Sequence, residues 1–281
     1  YEKAESTPVA FTVSKALLDP SVNTLQSKTY DGGTKAEGTL TLSSTDGNPI
    51  LSEDAAALEA KGTFTWTSKD AGTNTVNVTG IALDSQFEDR YELTTSELSN
   101  VSCSGAKIEN AQIKNVSVRQ MMELTYNGRE QLPEVTATGS TIGGTAITFR
   151  YGLTAVQAAD ENEWLNYVPA FTDAGTYTVY YTASAVNHDS VYGSFEIKIK
   201  NASITGVDAA GYTGIYDGQS HGIKITLTGN AGDGEILYGE SEDNCTLTES
   251  PVYKNTGSYT VYYMVTKKNF DTINGSATVA I

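Results

Sequence analysis

Asp173-Ala174-Gly175-Thr176-Tyr177-Thr178-Val179-Tyr180-Tyr181 and Asn255-Thr256-Gly257-Ser258-Tyr259-Thr260-Val261-Tyr262-Tyr263 are one phrase written twice. Each begins with a polar residue and a glycine at turn spacing. Each then runs into β-branched and aromatic residues with partial period-two alternation, the pattern of a half-buried strand. An earlier copy, Asp70-Ala71-Gly72-Thr73-Asn74-Thr75-Val76, keeps the turn and the Val but has Asn74 where the others have Tyr. In immunoglobulin-like sandwiches a Tyr at the start of the sixth strand bonds back across the preceding corner, and an inward residue follows two positions later. Tyr177 with Val179, and Tyr259 with Val261, fit that arrangement, with Val where an antibody domain carries Cys. The first copy, with Asn74, departs from that arrangement.

Working outward, a second phrase precedes each of these by 40, 47 and 39 residues: Tyr30-Asp31-Gly32, Tyr126-Asn127-Gly128 and Tyr216-Asp217-Gly218. The later two copies agree further, at Tyr151-Gly152 and Tyr238-Gly239, Pro169 and Pro251, and Gly193-Ser194 and Gly275-Ser276. Ordered agreement at this many positions identifies a repeat. Many short strands punctuated by Asp-Gly, Asn-Gly and Gly-Gly then predict an all-β chain of tandem immunoglobulin-like β-sandwich domains, over 1–106, 107–200 and 201–281. The joints fall at Ile113-Lys114-Asn115 and Ile199-Lys200-Asn201-Ala202-Ser203. Neither is a Pro- or Gly-rich spacer, so the expectation is an elongated, monomeric rod. Ser52 to Gly62 (SEDAAALEAKG) has a capping Ser, an acidic first turn and a terminal Gly, which predicts one short helix. The alternative for the first domain is therefore a β-grasp-like module.

The charge balance narrows the partners. Lys and Arg number 18 against 34 Asp and Glu, giving −16. The excess is spread along the chain: 15 acids against 7 bases in 1–106, 10 against 7 in 107–200 and 9 against 4 in 201–281. Such a surface repels phosphate backbones, so no nucleic-acid partner is expected. No stretch is apolar over the roughly 18 residues of a membrane span. The start, YEKAESTPVA, has neither a basic nor an apolar leader region, as in a mature or excised fragment. Cys103 and Cys245 fall in different expected domains, which excludes an intradomain disulfide framework.

Ser27-Lys28-Thr29-Tyr30-Asp31-Gly32-Gly33-Thr34 resembles the opening of the bacterial YDG repeat, and the later copies resemble related immunoglobulin-like repeats of large surface and secreted proteins. The resemblance implies extracellular tandem modules, secreted or attached to the cell wall, and supplies no catalytic residues. Gly33 stands where Thr is more usual, and Ser52 to Gly62 is extra.

The chemistry-bearing residues are few. The Tyr-Asp-Gly and Tyr-Asn-Gly phrases (Tyr30, Asp31, Gly32, Tyr126, Asn127, Gly128, Tyr216, Asp217, Gly218) are structural motifs, since a feature present in every copy serves the fold, and so are the corner residues Tyr177 and Tyr259. The acid-rich loop with Asp160, Glu161 and Glu163 is the place for Ca²⁺, the one cofactor left open, although its spacing is not that of an EF-hand. A second acid-rich loop runs from Glu240 to Asn244. Trp164 and Tyr167 are the candidate stacking platform for a glycan. His188 and His221 sit in different domains without ligand or triad spacing, so no zinc site or hydrolase triad is expected. The chain is expected to be a structural or adhesive spacer and not an enzyme, with a module binding glycans or host surface proteins as the alternative.

Overall fold

The computed structural model describes residues 9–102, 104–155 and 164–281, and these are almost entirely β. The chain divides into two compact units. The first comprises Tyr1–Val116, Gly139–Thr148 and Ala183–Val191, and the second Ser117–Thr138, Phe149–Thr182 and Tyr192–Ile281.

In the first unit, the strand Ala16–Leu25 lies between Gly38–Ser44, antiparallel, and Tyr91–Leu93, parallel. A second sheet sets Thr75–Leu83 between Ala60–Trp66 and Leu98–Ser102. Period-two alternation places Phe64, Trp66, Val76 and Val78 on one face, where they are buried with Tyr30, Ile81 and Ile108. Leu18, Leu83, Phe87 and Tyr91 form a smaller cluster. Burying each such side chain contributes roughly 1.5–3 kcal/mol, which is how these sheets hold together without a disulfide. A bulge shifts the register between Lys61 and Thr63, opposite Gly80, which takes φ +63°.

The helix expected over 52–62 does not form. Residues 52–57 make consecutive turns with two isolated helical bonds, from Ala55 N–H to Leu51 O (3.0 Å) and from Leu58 N–H to Asp54 O (2.8 Å). Ala60 already opens a strand. Two interactions outweigh helix propensity here. The Asp54 carboxylate is buried, accepting from the Tyr91 hydroxyl (2.8 Å) and pairing with Arg90 (2.8 Å). Gly62, read from sequence as a helix stop, instead lets two strands close: a Cβ there would lie 2.7 Å from Val78 Cγ1.

In the second unit one arrangement occurs twice. One sheet runs Leu124–Thr125, Val191–Lys200, Gly175–Ser184, Thr148–Gly152, and the other runs Tyr212–Thr213, Ile273–Ala280, Ser258–Thr266, Glu235–Gly239. Of these strand residues, Thr148, Ala183, Ser184 and Val191 fall within the bounds given for the first unit. In each sheet the short first strand pairs parallel with the last, as Leu124 with Ile199 and Tyr212 with Val279. Each copy also has a two-stranded ribbon, Lys114–Gln120 with Val135–Ser140 and Val207–Ala210 with Lys224–Leu227, and the later ribbon packs on its sheet through Ile225. The core of the later copy gathers Ile223, Ile225, Tyr238, Val261, Tyr263, Val265 and Val279. The fold is thus that of β-sandwiches built from repeated strand patterns, with packing in place of the antibody disulfide.

Candidate functional site

The Tyr-(Asp/Asn)-Gly phrases form the same turn in all three copies. The Asx side chain accepts a backbone N–H two residues on: Asp31 from Gly33 (2.8 Å), Asn127 from Arg129 (2.9 Å) and Asp217 from Gln219 (2.8 Å). The glycine takes positive φ each time, +80° at Gly32 and +75° at Gly128 and Gly218, a region that side chains disfavour. Hydrogen bonds from Lys28 and Gly33 hold the Asp31 carboxyl below the usual range, and His221 and Gln219 do so for Asp217.

The tyrosine corners form as well. The Tyr177 hydroxyl donates to Asp173 O (2.8 Å) and that of Tyr259 to Asn255 O (3.4 Å). Each ring stacks on a neighbour four or more residues upstream, Phe171 and Tyr253 respectively, at 4.1 Å.

These turns take part in a clamp that the sequence reading missed. In the first unit Asn187 sits at φ +64°. Its carboxamide NH₂ donates to Asp70 Oδ1 (3.0 Å), while its Oδ1 accepts from Ala71 N–H (3.0 Å). In the second unit Asn269, at φ +70°, repeats this with Asp173 Oδ1 (2.8 Å) and Ala174 N–H (3.0 Å). The backbone agrees: Ala111 N–H donates to Asn187 O and Ala202 N–H to Asn269 O, both at 2.9 Å. The residue after each Asn is a ring that meets the tyrosine of the turn edge to face, His188 on Tyr30 at 5.5 Å and Phe270 on Tyr126 at 5.4 Å. An Asp follows in both, Asp189 and Asp271. The signal was therefore present as Asn187-His188-Asp189 and Asn269-Phe270-Asp271, and it is short enough to pass as loop. Asparagine suits it because it tolerates the left-handed region and carries a donor and an acceptor side by side. The bonds from Asn187 and Ser68 lower the Asp70 carboxyl, and those from Lys268 and Asn269 lower that of Asp173.

His188 is buried within this arrangement. Its Nε2 accepts from Ile142 N–H (3.0 Å) and Nδ1 faces Val186 O (2.8 Å), which fixes the proton on Nδ1. His221 instead lies flat on Tyr212 at 3.6 Å.

The two described rings of the candidate glycan platform differ in exposure. Trp164 is 8% exposed, and its indole covers Gly152 so closely that a Cβ there would sit 3.1 Å away, whereas Tyr167 is 53% exposed. Trp66 is fully buried. Asp160, Glu161 and Glu163 lie outside the described residues, as does Cys103. Among the described residues no three His, Cys, Asp or Glu side chains converge as a metal site would require. The Cys245 thiol is free, and its pKa is raised by burial and by Glu242.

Comparison with known families bears on the first copy. Residues 14–98 match the YDG domain. The matched span contains Tyr30-Asp31-Gly32 and every strand of the first unit's two sheets except Leu98–Ser102, of which it reaches only Leu98. No match to the chain was found among curated proteins. Among solved structures, the human desmocollin-1 ectodomain aligns over 93% of the chain at 7% identity and a TM-score of 0.22. The chain spans 58% of that protein's length. The 47-kilodalton lipoprotein Tp47 of Treponema pallidum aligns over 87% of the chain and 74% of its own length, at 12% identity and a TM-score of 0.20. Likenesses this low carry no argument about function.

Proposed function

We propose that the chain is a structural spacer: three tandem modules, 1–106, 107–200 and 201–281, within a larger bacterial cell-surface or secreted protein, without catalytic activity of its own. The observation that carries this reading is the clamp. The same Asx turn, the same asparagine carboxamide and the same edge-to-face ring recur at two successive copies of the repeat. A feature copied with its geometry serves joining, because a ligand site needs to occur once. The YDG match and the repeat pattern support an extracellular setting. The distributed negative charge keeps such a chain soluble without attracting nucleic acid.

Burial of both tryptophans supports the spacer over the glycan-binding module, which would present an aromatic face to its sugar. The exposed ring of Tyr167 is the feature that the binding alternative would use. Intrinsic fluorescence separates the two. The spacer reading expects blue-shifted, quencher-resistant emission that does not change on titration with bacterial and host glycans or with Ca²⁺. A saturable change that disappears in Tyr167→Ala would establish the binding module instead.

A further inference from the structure

The third copy of the repeat carries the acceptor half of the clamp on its surface. Tyr30 is 5% exposed beneath the ring of His188, and Tyr126 is half-buried beneath Phe270. Their counterpart Tyr216 is 54% exposed, and no described ring meets it. Its neighbour Ile215, 91% exposed, stands where the other copies have Thr29 and Thr125. The polar half is equally open. Asn255-Thr256-Gly257 occupies the position of Asp70-Ala71-Gly72 and Asp173-Ala174-Gly175, its corner held by Tyr259 as that of Asp173 is by Tyr177. All three of its residues are exposed, and among the described residues nothing accepts from Thr256 N–H.

We propose that this face of the third copy is a docking site for an Asn-aromatic-Asp turn presented by a further module of the same kind. The incoming asparagine NH₂ donates to Asn255 Oδ1, its Oδ1 accepts from Thr256 N–H, and the ring that follows covers Tyr216. Asn255 supplies the same acceptor oxygen as Asp70 and Asp173 but without charge, so this joint is weaker than its two predecessors and less sensitive to acid. The occupant is a module and not a free peptide, because the left-handed asparagine has to be held in place by the strands on either side of it. Both turns of this type in the chain are already engaged, Asn187 by Asp70 and Asn269 by Asp173, so the partner is not a second copy of the chain as it stands.

This inference rests on the spacer reading only in treating the copies as joined modules, and the two fail separately: a glycan-induced fluorescence change would remove the spacer and leave this joint untouched. To test it, the full chain is extended at Ile281 with a second copy of Lys200–Ile281, so that Lys200-Asn201-Ala202 follows Ile281 as it follows Ile199. Segmental isotope labelling reports on the original 281 residues alone. The expected result is a slowing of Thr256 amide exchange by about five- to tenfold, the factor that one hydrogen bond of ordinary net strength gives. Nitration of Tyr216 slows with it, and both effects disappear when the added copy carries Asn269→Ala. Unchanged exchange and nitration beside a folded added copy would overturn the proposal. So would an added copy that fails to fold there, since the original 200–281 segment folds on the equivalent joint.

Discussion

Adding a methyl group at Gly275 should weaken the second unit, against the usual effect of that substitution. Gly275 pairs directly across from Tyr263 in the sheet, and the Tyr263 ring lies over it. A Cβ at 275 would stand 2.4 Å from both Cζ and Oη of that ring. Tyr263 is 9% exposed and packed in the core, so it has little room to yield. Gly→Ala at a compatible position normally gains about 0.4–1 kcal/mol by restricting the unfolded chain. Forcing an extra carbon into packed surroundings costs about 1–3 kcal/mol, leaving a net loss of about 0.5–2 kcal/mol. A chain of two units is unsuited to a single two-state fit, so the assay is native-state amide exchange at Val261 and Val265 on the central strand. Gly275→Ala should speed exchange there. In a Tyr263→Ala background the steric conflict is gone, and the same substitution should become neutral or stabilising. Gly193, whose Cβ would fall 2.5 Å from Tyr181 Oη, should behave alike. Slower exchange in Gly275→Ala with Tyr263 intact would refute the packing argument.

Asn269→Ala removes two hydrogen bonds and leaves a Cβ-bearing residue without Asn's tolerance at φ +70°, so Ala174 amide exchange should rise at least fivefold. The lowered Asp70 and Asp173 carboxyls fix a sign for acid: their folded pKa lies below the unfolded value of roughly 3.9, so their contribution is complete above that value and is lost as pH falls through the folded pKa. Thermal melts should therefore be flat from neutral pH to about 4 and fall below it, with a smaller fall in Asp173→Asn. Tyr91→Phe strips the buried Asp54 carboxylate of one donor and should cost about 1–2 kcal/mol in the first unit, read from exchange at Leu18.

Much of the fold was legible because it is written in local chemistry. Period-two runs such as Thr176 to Ser184 and the glycines of the Tyr-Asp-Gly turns specify strand and turn within a few residues. The corners of Tyr177 and Tyr259 were legible for the same reason, since donor and acceptor lie four residues apart. Ser52 to Gly62 misled because its helix signals are local while the forces that decide it come from elsewhere, from Tyr91 and Arg90 on Asp54 and from Val78 against Gly62. The clamp was hidden for a related reason. Asn187 and Asp70 are 117 residues apart, and a single asparagine at a loop tip has no periodicity to announce it.

Amide exchange at Ala71 and Ala174, compared in the native chain and in Asn187→Gly and Asn269→Gly, tests most directly whether one clamp joins successive copies. Glycine keeps the left-handed backbone and removes only the carboxamide. The account predicts that Asn187→Gly releases Ala71 and leaves Ala174 protected, and that Asn269→Gly does the reverse. Protection at both amides unchanged by either substitution would show that the asparagines hold nothing, and the joining role would fall with it.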